Sequence, residues 1–176
     1  IDCGRFPIKR TAGEEVVVLA DVHSDGHDVV VATLLWRRTG DGCWSEIPME
    51  PLGNDRWKAR FTVAELGEYE YTIEGWIDRF ETWRVELSKK ADAGQDVSSE
   101  LLEGAAIVRR AAQSDGEGLT QTVAALEDTN AVMAARVSRA LAEPLRSEMA
   151  RRTDRTHATR YDRVLKVTVD RARARF

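Results

Sequence analysis

The sequence predicts a mainly β chain with an α insert: an antiparallel β-sandwich interrupted by a small helical bundle. Three observations carry this expectation. From Cys3 to Leu87, short apolar runs are separated by turn signals, with no helical period between them. From about Asp96 to Met149, apolar residues recur at steps of three and four, the spacing of an amphipathic helix. From Val164 to Val169 the alternation returns, and a lone strand cannot bury its face by itself. That last strand must join the sheet built from the first half, which makes the helical block an insertion.

The elements follow in order. Glu14 to Val22 is a strand with an apolar centre at Val16-Val17-Val18-Leu19-Ala20. Val29 to Arg37 is another strand, and its apolar stretch suggests burial on both faces or a place deep in a sandwich. Trp44 to Glu50 is a shorter strand after the turn Gly40-Asp41-Gly42. The turn Gly53-Asn54-Asp55 leads into Arg56 to Val63, where Trp57, Ala59, Phe61 and Val63 face one way and Arg56, Lys58, Arg60 and Thr62 the other. In the next strand Tyr69, Tyr71, Ile73 and Ile77 point inward, and Glu68, Glu70, Thr72 and Glu74 outward. Phe80 to Leu87 reads as one more strand, with Trp83, Val85 and Leu87 on a shared face.

Lys89 to Gln95 reads as a polar linker, and Asp96 as the N-cap of a helix running to about Ala112. Val97, Leu101, Ala105, Val108 and Ala112 make its stripe. Ser114 to Gly118 breaks it. Further helices are expected over Leu119 to Asp128 and Asn130 to Ala142, and Pro144 opens a fourth that carries Leu145 and Met149. Short amphipathic helices with short loops pack as an antiparallel bundle. The expected partition is therefore residues 1–88 and 162–176 for the sandwich and 89–161 for the bundle.

Composition narrows the function classes. Apolar residues at 43% and charged residues at 32% are ordinary for a globular chain. A net charge of −4 lacks the basic footprint of a nucleic-acid binder. No apolar run approaches the ~20 residues of a membrane helix. Cys3 and Cys43 sit in no zinc-type cluster and read as free thiols of a reducing, cytoplasmic compartment. His23 and His27 flank a turn, and the spacing His-x-x-x-His aligns two ligands only on a helix. With His157 they read as solvated, so no metal and no cofactor is expected. The first residue, Ile1, and the ending Arg171-Ala172-Arg173-Ala174-Arg175-Phe176 both suggest cuts inside a longer protein.

Several runs resemble the N-terminal region of α-1,4-glucan:maltose-1-phosphate maltosyltransferases. They are Cys3-Gly4-Arg5-Phe6-Pro7-Ile8-Lys9-Arg10, Asp25-Gly26-His27-Asp28, Pro48 to Trp57, Gly67 to Phe80 and Thr82-Trp83-Arg84. Leu101-Leu102-Glu103-Gly104-Ala105 and Val167-Thr168-Val169-Asp170-Arg171 extend the resemblance through the helices to the final strand. The resemblance implies an immunoglobulin-like N-domain with an inserted bundle, and a homodimer. It implies a parent enzyme of the α-amylase superfamily that moves a maltosyl unit from maltose 1-phosphate to the non-reducing end of an α-1,4-glucan. Its retaining chemistry needs a carboxylate nucleophile and a carboxylic acid about 5–5.5 Å apart. The resemblance places both on a (β/α)₈ barrel expected after Phe176, so no catalytic residue is assigned within this chain.

The residues that bear on a role for the chain itself are tryptophans. Trp36, Trp57 and Trp83 share apolar faces and read as core. Trp76 shares parity with Glu68, Glu70, Thr72 and Glu74, and Trp44 shares parity with Glu46. An aromatic on a polar sheet face marks a contact surface. Trp44 and Trp76 are thus the candidate interface or glycan-contact residues: a covered face of an architectural module, or the platform of a carbohydrate-binding sandwich from another amylase-like enzyme. Arg109, Arg110, Arg136, Arg139, Arg146, Arg151 and Arg152, interspersed with glutamates, are expected on solvated helix faces suited to a self-complementary contact.

Overall fold

The computed structural model describes residues 4–113 and 117–171. In chain order the elements are β1 (Ile8–Thr11), β2 (Glu14–Asp21), β3 (Val30–Arg38), β4 (Ser45–Pro48), β5 (Glu50–Gly53), β6 (Arg56–Val63) and β7 (Gly67–Ile77). Then come α1 (Arg79–Asp92), α2 (Ser98–Ala112), α3 (Glu117–Glu127), α4 (Met133–Ala140) and α5 (Glu143–Ala150), and finally β8 (Thr159–Arg160) and β9 (Leu165–Arg171). The described residues form two compact units: 4–25, 30–76 and 156–171 in one, and 26–29, 77–113 and 117–155 in the other.

The first unit is a β-sandwich. One sheet runs β1-β9-β7-β3-β4, with β8 also pairing with β7; the other runs β2-β6-β5. Val16, Val18, Ala32, Leu34, Met49, Ala59, Phe61, Val63, Tyr69, Val167 and Val169 fill the space between them. Each valine, leucine, methionine or phenylalanine among them contributes about 1.5–3 kcal/mol by leaving water. Trp36 stacks on Phe61 with ring centroids 5.0 Å apart. The last strand pairs with the first half as its alternation requires: β9 lies antiparallel to β7, with Tyr69 opposite Val167. Its other neighbour is a departure from an all-antiparallel sheet, because β1 runs parallel to it.

β6 keeps the faces read from its alternation, with Ala59, Phe61 and Val63 buried and Arg56 and Arg60 exposed. Its hairpin with β5 closes through Asn54 and Asp55 at φ 49° and 59°. Positive φ at both central positions gives the turn whose twist matches the strands. The expected strand Trp44 to Glu50 is two strands in two sheets. β4 pairs with β3, β5 pairs with β6, and buried Met49 sits at the switch with its N–H donating to Ala32 O. Pro51 is tolerated because β5 is an edge strand. β7 also departs from simple alternation. Thr72 is fully buried on the supposed polar face, and Ile77 is 40% exposed. The Thr72 hydroxyl donates to Arg163 O at 3.1 Å, where the chain passes from β8 to β9 along β7.

The second unit is helical and begins earlier than Lys89. Phe80 to Leu87, expected as a strand, lies inside α1. Phe80, Trp83 and Leu87 are buried at helical spacing, and Val85, which a strand would bury beside Trp83 and Leu87, is 39% exposed. Asp78 caps the helix by accepting the Glu81 N–H at 3.0 Å. Residues 26–29 are stapled to the same turn: Val29 O accepts from Asp78 N–H, and Val29 N–H donates to Thr82 Oγ1. Most of the supposed linker is the end of α1, and Gly94 at φ +69° turns the chain toward α2. Asp96 accepts from Ser98 N–H at 3.0 Å at the start of α2, although Val97 holds the cap position. Of the expected break Ser114 to Gly118, Ser114, Asp115 and Gly116 lie outside the described residues, whereas Glu117 and Gly118 already belong to α3.

The bundle core combines Trp83, Leu87, Leu101, Ala105, Val108, Leu119, Leu126, Ala140 and Leu145. Trp83 lies against Gly104, where an added Cβ would overlap the indole. The Trp83 Nε1–H donates to Glu100 O at 2.7 Å. Arg136 is not on a solvated face. It is 5% exposed, and its Nε donates to Leu126 O at 3.1 Å.

Candidate functional site

The outer face of β3 and β7 carries the polar network around the candidate tryptophans. Trp44 precedes β4 and is half-buried, with the Arg37 guanidinium 4.2 Å from its ring centroid. Arg37 donates to Glu70 from Nε at 3.1 Å and from Nη2 at 2.9 Å, and from Nη1 to Asp41 O at 3.1 Å. The contact follows from the hairpin register. Trp36 faces Ser45, and one further step places Arg37 opposite Trp44. Two N–H groups of the cation converge on one oxygen of Glu70, Oε2, and one face of the indole is covered by the guanidinium.

Trp76 sits at the other end of β7 and is 8% exposed. It therefore presents little ring area to a ligand. The two candidates do not form one platform: Trp44 adjoins Arg37, Glu70 and the Asp41 carbonyl, whereas Trp76 is buried at the end of a strand. Sequence parity located both on the sheet face opposite the sandwich core. It missed Arg37, whose place over Trp44 was readable from the hairpin centred on Gly40-Asp41.

Two carboxylates of this face are engaged structurally. Glu70 is paired with Arg37, and Glu74 with Arg160 at 2.8 Å. They stand four residues apart on β7, about 13 Å at ~3.3 Å per residue. That is well beyond the ~5–5.5 Å of a retaining carboxylate pair. His23, His27 and His157 are exposed outside strands and helices. Among the described residues no group of three or more His, Cys, Asp or Glu is placed to hold a metal ion. Cys43 is exposed; Cys3 lies outside the described residues. No helix among the described residues is long and apolar enough to cross a membrane.

The helical unit supplies the other polar clusters. Glu81 accepts from Arg84 Nη1 and from Arg146 Nε, each at 3.0 Å. Lys90 pairs with Glu100, and this ammonium holds the Glu100 carboxyl below its usual value. Hydrogen bonds from Arg151 and Arg152 hold the Glu148 carboxyl below its own. Most of the arginines expected to face a partner copy thus pair within the unit.

The chain is similar over its whole length to proteins of one name. It is 47% identical to the alpha-1,4-glucan:maltose-1-phosphate maltosyltransferase of Chlorobaculum tepidum over 100% of this chain and 27% of that protein. The protein of that name from Myxococcus xanthus is 44% identical over 100% of this chain and 28% of its own length. The one from Rhodospirillum rubrum is 40% identical over 98% and 28%. The chain thus spans little more than a quarter of the curated relatives it matches. The family model described as alpha-1,4-glucan:maltose-1-phosphate maltosyltransferase, domain N/S, matches residues 1–171. This chain belongs to that domain N/S family.

Proposed function

We propose that this chain is the non-catalytic N-terminal region of a cytoplasmic, homodimeric maltosyltransferase. The parent would transfer maltose from maltose 1-phosphate to the non-reducing ends of α-1,4-glucans. The chemistry would belong to a barrel after Phe176, and this chain would be an architectural module: an immunoglobulin-like sandwich carrying a helical insert. The observation that carries the reading is coverage. Relatives with the maltosyltransferase name match this chain from end to end, yet most of their length lies outside the match. The geometry around Trp44 also favours architecture over sugar binding, because a guanidinium already covers one face of the ring.

The test compares this chain with the longer protein that contains it. With maltose 1-phosphate and glycogen, the longer protein releases phosphate and this chain releases none. Release by this chain alone, or none by the longer protein, would overturn the proposal. Titration with maltooligosaccharides, followed by tryptophan fluorescence, separates the second reading. Saturable quenching that disappears in W44A would make the sandwich a glucan-binding module through Trp44.

A further inference from the structure

One peptide bond in the turn between β3 and β4 is activated from two sides. Arg38 O accepts from Asp41 N–H at 3.0 Å, which closes the turn. Gly40, Asp41 and Gly42 are all exposed, and a Cβ added at either glycine meets nothing within 4 Å. The Asp41 carboxylate has no hydrogen bond or ion pair among the described residues. Gly42 has no side chain to hold its amide nitrogen away from the Asp41 carboxyl carbon, and an aspartate before a glycine is therefore prone to close a five-membered ring.

The second side is Arg37. Its Nη1 donates to Asp41 O at 3.1 Å, while its Nε and Nη2 are held on Glu70. That carbonyl belongs to the peptide bond between Asp41 and Gly42. A cation on its oxygen stabilises the anion left when the Gly42 N–H loses its proton, and again stabilises the oxyanion formed when water adds to the same carbonyl. Asp25-Gly26 is the comparison within the molecule. It is equally exposed, and no guanidinium donates to Asp25 O among the described residues.

We propose that Asp41-Gly42 is a self-modifying site, where Arg37 directs conversion of the aspartyl bond to an isoaspartyl bond. The Gly42 nitrogen bonds to the carbon of the protonated Asp41 carboxyl, and the carboxyl hydroxyl leaves with the amide proton as water. The succinimide keeps the α-carbonyl of Asp41 beneath the guanidinium. A water molecule then adds to that carbonyl, whose bond to nitrogen breaks, and the nitrogen takes up a proton. Gly42 stays joined through the former side-chain carbon. One water is released and one consumed. The α-carbonyl has become a carboxylate where Arg37 Nη1 already donates, so the product gains an ion pair. The main chain gains a methylene. The cation beside Trp44 is then shared between Glu70 and the new carboxylate. No step of the function proposed above uses this site, and it stands independently.

The test is to age the protein in neutral buffer and follow isoaspartate by peptide mapping with electron-transfer fragmentation. Isoaspartate should accumulate at position 41 about threefold faster than at position 25, or more. R37M keeps the aliphatic stem and loses every donor. It should bring position 41 down to the rate of position 25, which serves as an internal clock and should not change. G42A should suppress the product at position 41 without moving the thermal midpoint, because its Cβ meets nothing within 4 Å. Position 25 ageing as fast as position 41 would overturn the proposal. So would an undiminished rate at position 41 in R37M or in G42A.

Discussion

The two units satisfy their backbones in different ways. In the sandwich, ladders pair the strands, and the core is apolar and aromatic, as where Trp36 stacks on Phe61. Polar side chains mostly stay outside it. Among the described residues the bundle has five helices, of 14, 15, 11, 8 and 8 residues. Every helix leaves carbonyls without an intrahelical donor at its C-terminal end. Here charged side chains reach those ends. Arg136 donates to Leu126 O in the last turn of α3, and Arg84 donates to Leu141 O just past α4. A sheet spreads its stability over many equivalent pairs. A bundle of short helices concentrates it on a few side chains that nothing else replaces.

The largest test removes a shared element from the sandwich. A chain ending at Arg163 lacks β9, which pairs with both β1 and β7. Loss of the cooperative unfolding transition of the sandwich is expected, read by near-ultraviolet circular dichroism. A retained transition at the original midpoint would mean that the strand contributes nothing to the fold.

Single residues should matter most in the bundle. Gly104→Val forces a side chain into the Trp83 indole and should cost about 3 kcal/mol or more in chemical denaturation. Gly118→Ala is the matched control, because its added Cβ meets nothing within 4 Å. Alanine favours a helix by up to ~1 kcal/mol over glycine, so that variant should be neutral or slightly stabilised. Arg136→Met keeps most of the side-chain volume and removes the donor to Leu126 O. The orphaned carbonyl should cost about 1–3 kcal/mol. Equal tolerance of Gly104→Val and Gly118→Ala would show that the bundle does not depend on the close approach of Trp83 to Gly104.

The smallest effect concerns pH. Burial pushes the Asp78 carboxyl above its usual value of 3.8, against the pull of the Glu81 N–H. In the window opening above 3.8, the folded chain holds a proton that the unfolded chain has released. This group's contribution to stability is therefore greatest at low pH and declines as pH rises through the folded value. Asp78→Asn retains a capping oxygen without the titration. The stability difference between the two proteins should drift across that window and level off above it. A difference flat in pH would show that Asp78 titrates normally.

Legibility followed the same division. In Arg56 to Val63 the alternation was unambiguous because charged and apolar residues strictly take turns. Phe80 to Leu87 fits two periods at once, since Trp83 and Leu87 share a face in a strand and in a helix. Val85, which a strand would bury with them, is exposed, and Phe80, which a strand would turn to the opposite face, is buried against Trp83. The deciding signal was Asp78 with Glu81 three residues later, half of a capping box directly before the apolar run. The split at Met49 was hidden for another reason. Strand propensity does not say which sheet a strand joins, and Pro51 was the one hint of an edge. Of the candidate site, parity located Trp44 and Trp76 on the correct face. It could not tell a half-buried ring under a guanidinium from a buried one, because that depends on what comes back across the face.

The pairing of β8 with β7 sets Gly75 opposite Thr159 and Glu74 opposite Arg160, so the strand that leaves for the bundle and the strand that returns from it are hydrogen-bonded neighbours. The two ends of the insertion are already held together by the sandwich. Closing the excursion then costs chain entropy that grows only with the logarithm of its length, about 0.6 kcal/mol for each doubling. To the sandwich, residues 77–155 are an enlarged hairpin loop. The bundle is in that sense a cassette: a different excursion, or a two-residue turn, would meet the same doorway with the same register.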